Sequence, residues 1–298
     1  MNNKQKTASA LFLSAALLPL TTMAEENWNT TLNYQADYGS YDGSQLRNDH
    51  LSQGIGLQFN YLDQFELKFY GNKSEVSYNN VNSEDLEQDE YAARAGYTIF
   101  SDSLSGRIGL GLYYHTVDNN DVTAQTDDVD VWASSLSYSP WDQQYKVGLE
   151  YALSDYSNLS EVHQLTTTFG FAFNDQYDWL NLRAYFISPQ EDGIAELEDR
   201  QALEVTWQHW VQPGNWLGLD SVTLSAMGGE RQFAVNSDIH LVMNLVDVEK
   251  QRYGAGLNWK TANGWQTSLG LSYTEFENET INDNYNDQLV YISVGKRF

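Results

Sequence analysis

The chain has 298 residues, with 41 acidic against 16 basic side chains, a formal charge of −25 and no cysteine. Such an acid excess argues against nucleic acid as a partner, and the lack of cysteine excludes a disulfide-stapled scaffold. Aromatic residues make up 14% of the chain, with 20 Tyr and 9 Trp against 4 Pro, a composition suited to strands with aromatics at two membrane interfaces.

Residues 1–24 have the form of a secretory signal. Lys4 and Lys6 open it, Ala8 to Leu18 form an apolar core, and small Thr22 and Ala24 flank Met23, so cleavage is expected before Glu25. The apolar core falls short of the roughly 20 residues a spanning helix needs. Residues 25–298 then form one domain.

From there, strict alternation and turn residues mark about fourteen strands. They run near 28–38, 51–61, 65–77, 91–99, 104–116, 131–139, 145–154, 163–173, 179–187, 202–211, 222–228, 252–260, 265–275 and 288–298. In strand six the apolar register is ambiguous. Tight turns such as Leu62-Asp63-Gln64, Pro140-Trp141-Asp142 and Thr261-Ala262-Asn263-Gly264 alternate with longer acidic connections. The longest, 229–250, holds Ile239-His240-Leu241-Val242-Met243, which reads as a strand extended beyond the membrane.

The last strand, QLVYISVGKRF, places Val290, Ile292 and Val294 on one face and ends on Phe298. It resembles the closing strand of bacterial outer-membrane β-barrels, in which a terminal Phe is read by the barrel assembly machinery. The resemblance implies an all-β, transmembrane antiparallel barrel of about fourteen strands. Short periplasmic turns and long acidic extracellular loops would connect them, in contact with outer-membrane lipid and lipopolysaccharide. Residues 250–298, with Arg252-Tyr253-Gly254, Gly264-Trp265 and Ser272-Tyr273, are also similar to the final strands of barrels that assemble surface lipoproteins or secrete exopolysaccharide.

With the apolar register outward, the other register lines the lumen. The pore-lining candidates are Glu66, Lys68, Arg94, Arg107, Lys146, Glu150, Arg183, Glu204, Arg252 and Lys260, with Asp37 and Arg297 on the same face. Basic residues outnumber acids there, which points to selection of anions by Arg and Lys or to mutual pairing across the lumen. Fourteen strands lie between side-chain-filled eight-stranded barrels and aqueous channels of 16–18. A narrowed pore is therefore expected.

Asp118, Asp121, Asp127, Asp128 and Asp130, with Glu84, Asp85, Glu87, Asp89 and Glu90, form two acidic clusters. They lack the spacing of a calcium loop and read as a solvated surface. Among the five histidines, His163 and His209 fall in the lipid-facing register, His115 faces inward near the outer rim, and His50 and His240 lie in or near loops. No catalytic residue, metal or cofactor is assigned. The expected function is a monomeric porin-like channel for small hydrophilic solutes, with anions favoured if the basic lining selects. The alternatives are an export or assembly barrel, a hydrolase active at the rim around His115, or a structural barrel with a plugged lumen.

Overall fold

The computed structural model describes residues 27–79, 84–121, 125–156, 160–190, 197–244 and 246–298; the expected signal segment lies outside them. The strands are β1 (Trp28–Asp42), β2 (Arg47–Tyr61), β3 (Phe65–Tyr78), β4 (Leu86–Ser101), β5 (Gly106–Asn119), β6 (Val129–Pro140), β7 (Tyr145–Tyr156) and β8 (Ser160–Phe173). They continue as β9 (Asp178–Pro189), β10 (Arg200–Trp210), β11 (Ser221–Arg231), β12 (Val235–Asn236), β13 (Leu241–Val242), β14 (Val248–Lys260), β15 (Trp265–Asn278) and β16 (Asp283–Arg297).

All except β12 and β13 join in sequence order into one closed antiparallel barrel, with β1 paired to both β2 and β16. Closure leaves no edge, which hydrocarbon requires because no water is there to satisfy a free backbone N–H. Fourteen strands about 4.8 Å apart, tilted by about 40°, give a backbone cylinder about 28 Å across. The barrel strands are those expected, but most run several residues further at the end bearing the longer connections. Much of the expected loop 39–50 is paired strand: β1 continues to Asp42, and β2 resumes at Arg47.

The outer face carries the apolar register around the barrel. Ile55, Leu110, Leu112, Trp132, Leu136, Leu149 and Leu271 are exposed on it, as lipid-facing side chains must be. The inner face changes character along its height. Its turn half is polar, whereas its loop half carries Val117, Val129, Val131, Ala133, Ala152, Val162 and Ile187, all buried in one cluster. This explains the ambiguity of strand six. Val129, Val131 and Ala133 point inward while Trp132 and Leu136 point outward, so both faces of β6 are apolar near its start.

What the inner cluster packs against is the connection between β11 and β14. Instead of extending outward, residues 232–244 fold into the lumen as a small hairpin of β12 and β13. This overturns the reading of 239–243 as a strand projecting beyond the membrane. Phe233, Ala234, Val235, Val242 and Met243 are buried within the barrel; each large apolar side chain so removed from water gains about 1.5–3 kcal/mol. Tyr156 packs on Phe233 with ring centroids 4.6 Å apart. The Gln164 amide acts as a short strand edge, donating to the Val235 carbonyl at 2.7 Å and accepting from its N–H at 2.9 Å.

The stem of the hairpin is held by ion pairs. Arg231, at the end of β11, meets both oxygens of Glu249 at 2.9–3.1 Å and Glu204 at 3.2 Å, and its guanidinium lies 5.0 Å from the Tyr185 ring centroid. Arg231 is 1% exposed and Glu249 0%. Where the hairpin leaves, Asp247 accepts from Arg47 and, at 2.6 Å, from the Tyr285 hydroxyl. Register shifts accompany these anchors, at Arg47/His50, Gly228/Arg231 and Glu249/Gln251. Gly229, at φ +103°, lies within the second shift, where a Cβ would stand 2.5 Å from the Gln201 carbonyl oxygen.

Leu112, 66% exposed at the middle of β5, tests the lipid-facing assignment. Leu112→Arg should lower the stability of the barrel in vesicles by about 2–4 kcal/mol, read by urea unfolding. An unchanged midpoint would contradict the register.

Candidate functional site

The ten residues expected to line the pore separate into three groups. At the turn half, Lys68 pairs with Glu66 at 3.2 Å, and Glu66 also accepts from Gln58 at 3.1 Å. Arg107 lies opposite Ser139 and Lys260 opposite Gln266 near the turn end, with no ion pair for either among the described residues. Higher up, Glu204 belongs to the Arg231 cluster, and Arg252 meets Glu249 at 2.9 Å. The remaining four, Arg94, Lys146, Glu150 and Arg183, surround one pocket at mid-height.

That pocket, partly open, lies beneath the tip of the hairpin. Asp238 at the tip is its centre. Arg94 from β4 donates to Asp238 Oδ1 at 2.8 Å, and Arg183 from β9 donates to Oδ2 at 2.7 Å. A single carboxylate thereby bridges two walls of the lumen. Glu150 accepts from the hydroxyl of Ser237, the adjacent tip residue. Burial tends to raise the Asp238 pKa, but Arg94, Arg183 and Lys146 outweigh it and hold the carboxyl below its usual range.

On the other side of the tip, His240 lies between Tyr70 and Tyr113. The ring centroids are 5.5 and 5.8 Å away and the planes within 11° and 29° of parallel. Gly54 makes this possible, because a Cβ there would meet the Tyr70 hydroxyl at 2.5 Å. Burial first, then the charges of Lys68, Arg94 and His115, push the His240 imidazole down to about 4, against a weaker upward pull from Asp238. His115 is more enclosed than its expected place near the rim: it is 0% exposed, 2.7 Å from the Tyr113 hydroxyl and 3.2 Å from Glu90.

Asp238, His240, Arg231 and Glu249 were not among the pore-lining candidates, though all four hold the hairpin or its tip in place. The available signal was the apolar content of 232–243, unlike that of the other connections. Glu90, expected in an acidic surface cluster, instead faces inward and is buried with Asn72 and Gln88. Glu87 and Lys73 form an exposed pair at 2.8 Å. Among the described residues, no group of three or more Asp, Glu or His side chains is arranged to hold a metal ion.

The sequence profile of the outer membrane protein beta-barrel domain matches residues 8–180. The chain belongs to that family. It is an outer-membrane protein, and its closed barrel is the family's membrane-spanning part. No curated protein sequence matches it. Among solved structures it is similar to a bacterial polysaccharide outer membrane secretin, with TM-score 0.56, 12% identity and coverage of 90% of this chain and 98% of that one. It is also similar to the Pseudomonas putida toluene transporter TodX, with TM-score 0.54, 9% identity and coverage of 93% and 90%. At these identities the likeness concerns the fold.

Two variants test the hairpin's anchorage. Arg231→Ala strands Glu249 without its bidentate partner, a loss of about 3–5 kcal/mol for a broken buried pair. Protease should then cut within 232–247 while the barrel stays folded, and resistance equal to wild type would refute the clamp. Acid should also loosen the tip. Released, His240 titrates near 6.5; docked, near 4. Docking therefore keeps its full strength above pH 6.5 and loses up to about 3 kcal/mol as pH falls towards 4. Asp238, still ionised through this window, adds a further loss only below it. Cleavage in the hairpin should rise across pH 6.5–4 in wild type and much less in His240→Asn.

Proposed function

We propose that the protein is a porin-like channel for small hydrophilic solutes, with the hairpin 232–244 forming the constriction. The observation that supports this most is the charged pocket beneath the tip, where Arg94, Lys146 and Arg183 face Glu150 and Asp238. A polar gap of this kind stays wet and offers a path past the hairpin. Its three cations against two carboxylates give a local field that favours anions, in a chain whose total charge is strongly negative. The reading needs no bond-making chemistry and one chain per pore. A conduit for a polysaccharide or lipoprotein, the expectation from residues 250–298, would require the whole hairpin to leave the lumen. Phe298, 57% exposed at the turn end and with its N–H bonded to the Thr30 carbonyl at 2.8 Å, is retained as the proposed contact for the assembly machinery.

Reconstitution in planar bilayers under a potassium chloride gradient tests the channel. A small, steady conductance with anion preference is expected, and Arg94→Gln with Arg183→Gln should lower that preference. Cation preference in the wild type would assign the field to the acidic loop end, and no conductance from a folded barrel would end the channel reading.

A further inference from the structure

We infer that Asp238 occupies an anion site built for the solute, and that a small hydroxylated carboxylate, of the sugar-acid class, competes with it there and releases the hairpin tip. The inference rests on the channel reading for its role in transport, though the binding itself does not. Three observations carry it. The first is the geometry of the cations. Arg94 and Arg183 reach the same carboxylate from β4 and β9, one oxygen each, at 2.8 and 2.7 Å. Two guanidinium groups converging on one carboxylate, with Lys146 lining the same pocket, leave positive charge that a single aspartate does not neutralise. With Glu150, which accepts from Ser237, the pocket holds three cations against two acids.

The second is the contrast in exposure. The Arg94 and Arg183 side chains are 17% and 11% exposed, whereas Asp238 is 48% exposed and the next residue, Ile239, is 63% exposed. The arginines are fixed parts of the wall, and the carboxylate is the exchangeable partner. The third is a set of hydroxyls without internal work. Ser135, Ser137 and Thr168 line the pocket, and none of their side chains has a hydrogen-bond partner among the described residues. Gly148 lies between the last two, its Cβ position 3.5 Å from Thr168 Cβ and 3.9 Å from Ser137 Cβ. An acid bearing hydroxyls can satisfy the arginines with its carboxylate and this row with its alcohols. Acetate lacks the second set, and glucose lacks the first.

A site occupied by an internal competitor binds its ligand more weakly by the fraction of time the competitor is away. Removing the competitor should therefore tighten binding. Calorimetry on the detergent-solubilised full chain, with glucuronate as probe and glucose and acetate as controls, measures this without any conductance. Asp238→Asn should bind glucuronate at least about tenfold more tightly than wild type, Asp238→Ala should do the same, and Arg183→Gln should abolish binding. Glucuronate should exceed both controls. Equal affinities in wild type and Asp238→Asn would overturn the competition, and acetate binding as tightly as glucuronate would overturn the role of the hydroxyls. In bilayers, glucuronate should raise the open fraction of wild type in a saturable way. Conductance unaffected by glucuronate would remove the gating step while leaving the channel, whereas binding without any conductance would remove the channel and leave the site.

Discussion

A guanidinium withdrawn from water has to meet carboxylates or its surroundings come apart, and Arg231 meets two. Its bidentate contact with Glu249 ties the last residue of β11 to the start of β14, so the connection between them begins and ends at one point in the wall. With its ends joined, the segment 232–247 has only two places to go, outward into solvent or inward. Phe233, Val235, Val242 and Met243 decide the direction, since the loop-half lining of the barrel offers them an apolar surface. The lining in turn has that character because a cylinder about 28 Å across leaves more room than its own side chains fill. Barrel and hairpin are one packing solution.

The charge of the lumen is arranged along its axis. In the turn half and at mid-height, Lys68, Arg94, Arg107, Lys146, Arg183 and Lys260 outnumber the acids. The loop half is where Glu90, Asp247, Glu249, Asp283 and Asp287 are buried, and their neighbours include His115, Arg47, Arg231 and His50. On the proposed channel reading, a solute entering from the loop end would pass paired, screened charge before it met the unbalanced cations under the tip. The basic residues among the inward candidates gather in the deeper half, and acids compensate them nearer the loops.

Alternation made the barrel legible because every spanning strand must show lipid one apolar face, and a period of two survives even where single residues deviate. It fails where the backbone itself slips. A register shift between Glu249 and Gln251 turns Glu249 inward, although counting by twos from Tyr253 puts it in lipid. The shift between Arg47 and His50 does the same for Arg47, against a count from His50. Bulges re-aim side chains in this way, and nothing in the local residue types marks them. The two residues that anchor the hairpin are therefore ones that a strict period of two assigns to the wrong face. The hairpin was hidden for another reason: Ile239 to Met243 alternates well enough for a strand, and only the packing surface inside the barrel distinguishes an inward from an outward course.

Stability along the hairpin is graded, and this limits how it can move. Its stem is fixed by the pairs of Arg231 with Glu249 and Arg47 with Asp247, both almost wholly withdrawn from water, and its middle by the Gln164 amide and the Phe233–Tyr156 contact. Only the tip carries exposed groups, Asp238 between two arginines and the adjacent Ile239, with His240 more enclosed between two tyrosines. Local opening draws on the least buried contacts first, so release begins at Asp238 and Ile239 while the stem stays docked. Displacing the tip would widen the pocket beneath it without exposing the apolar cluster behind it. Opening by the tip alone thus costs far less than expelling the whole segment, which would uncover Phe233, Val235 and Met243 and leave the facing walls of β5 to β9 without a partner.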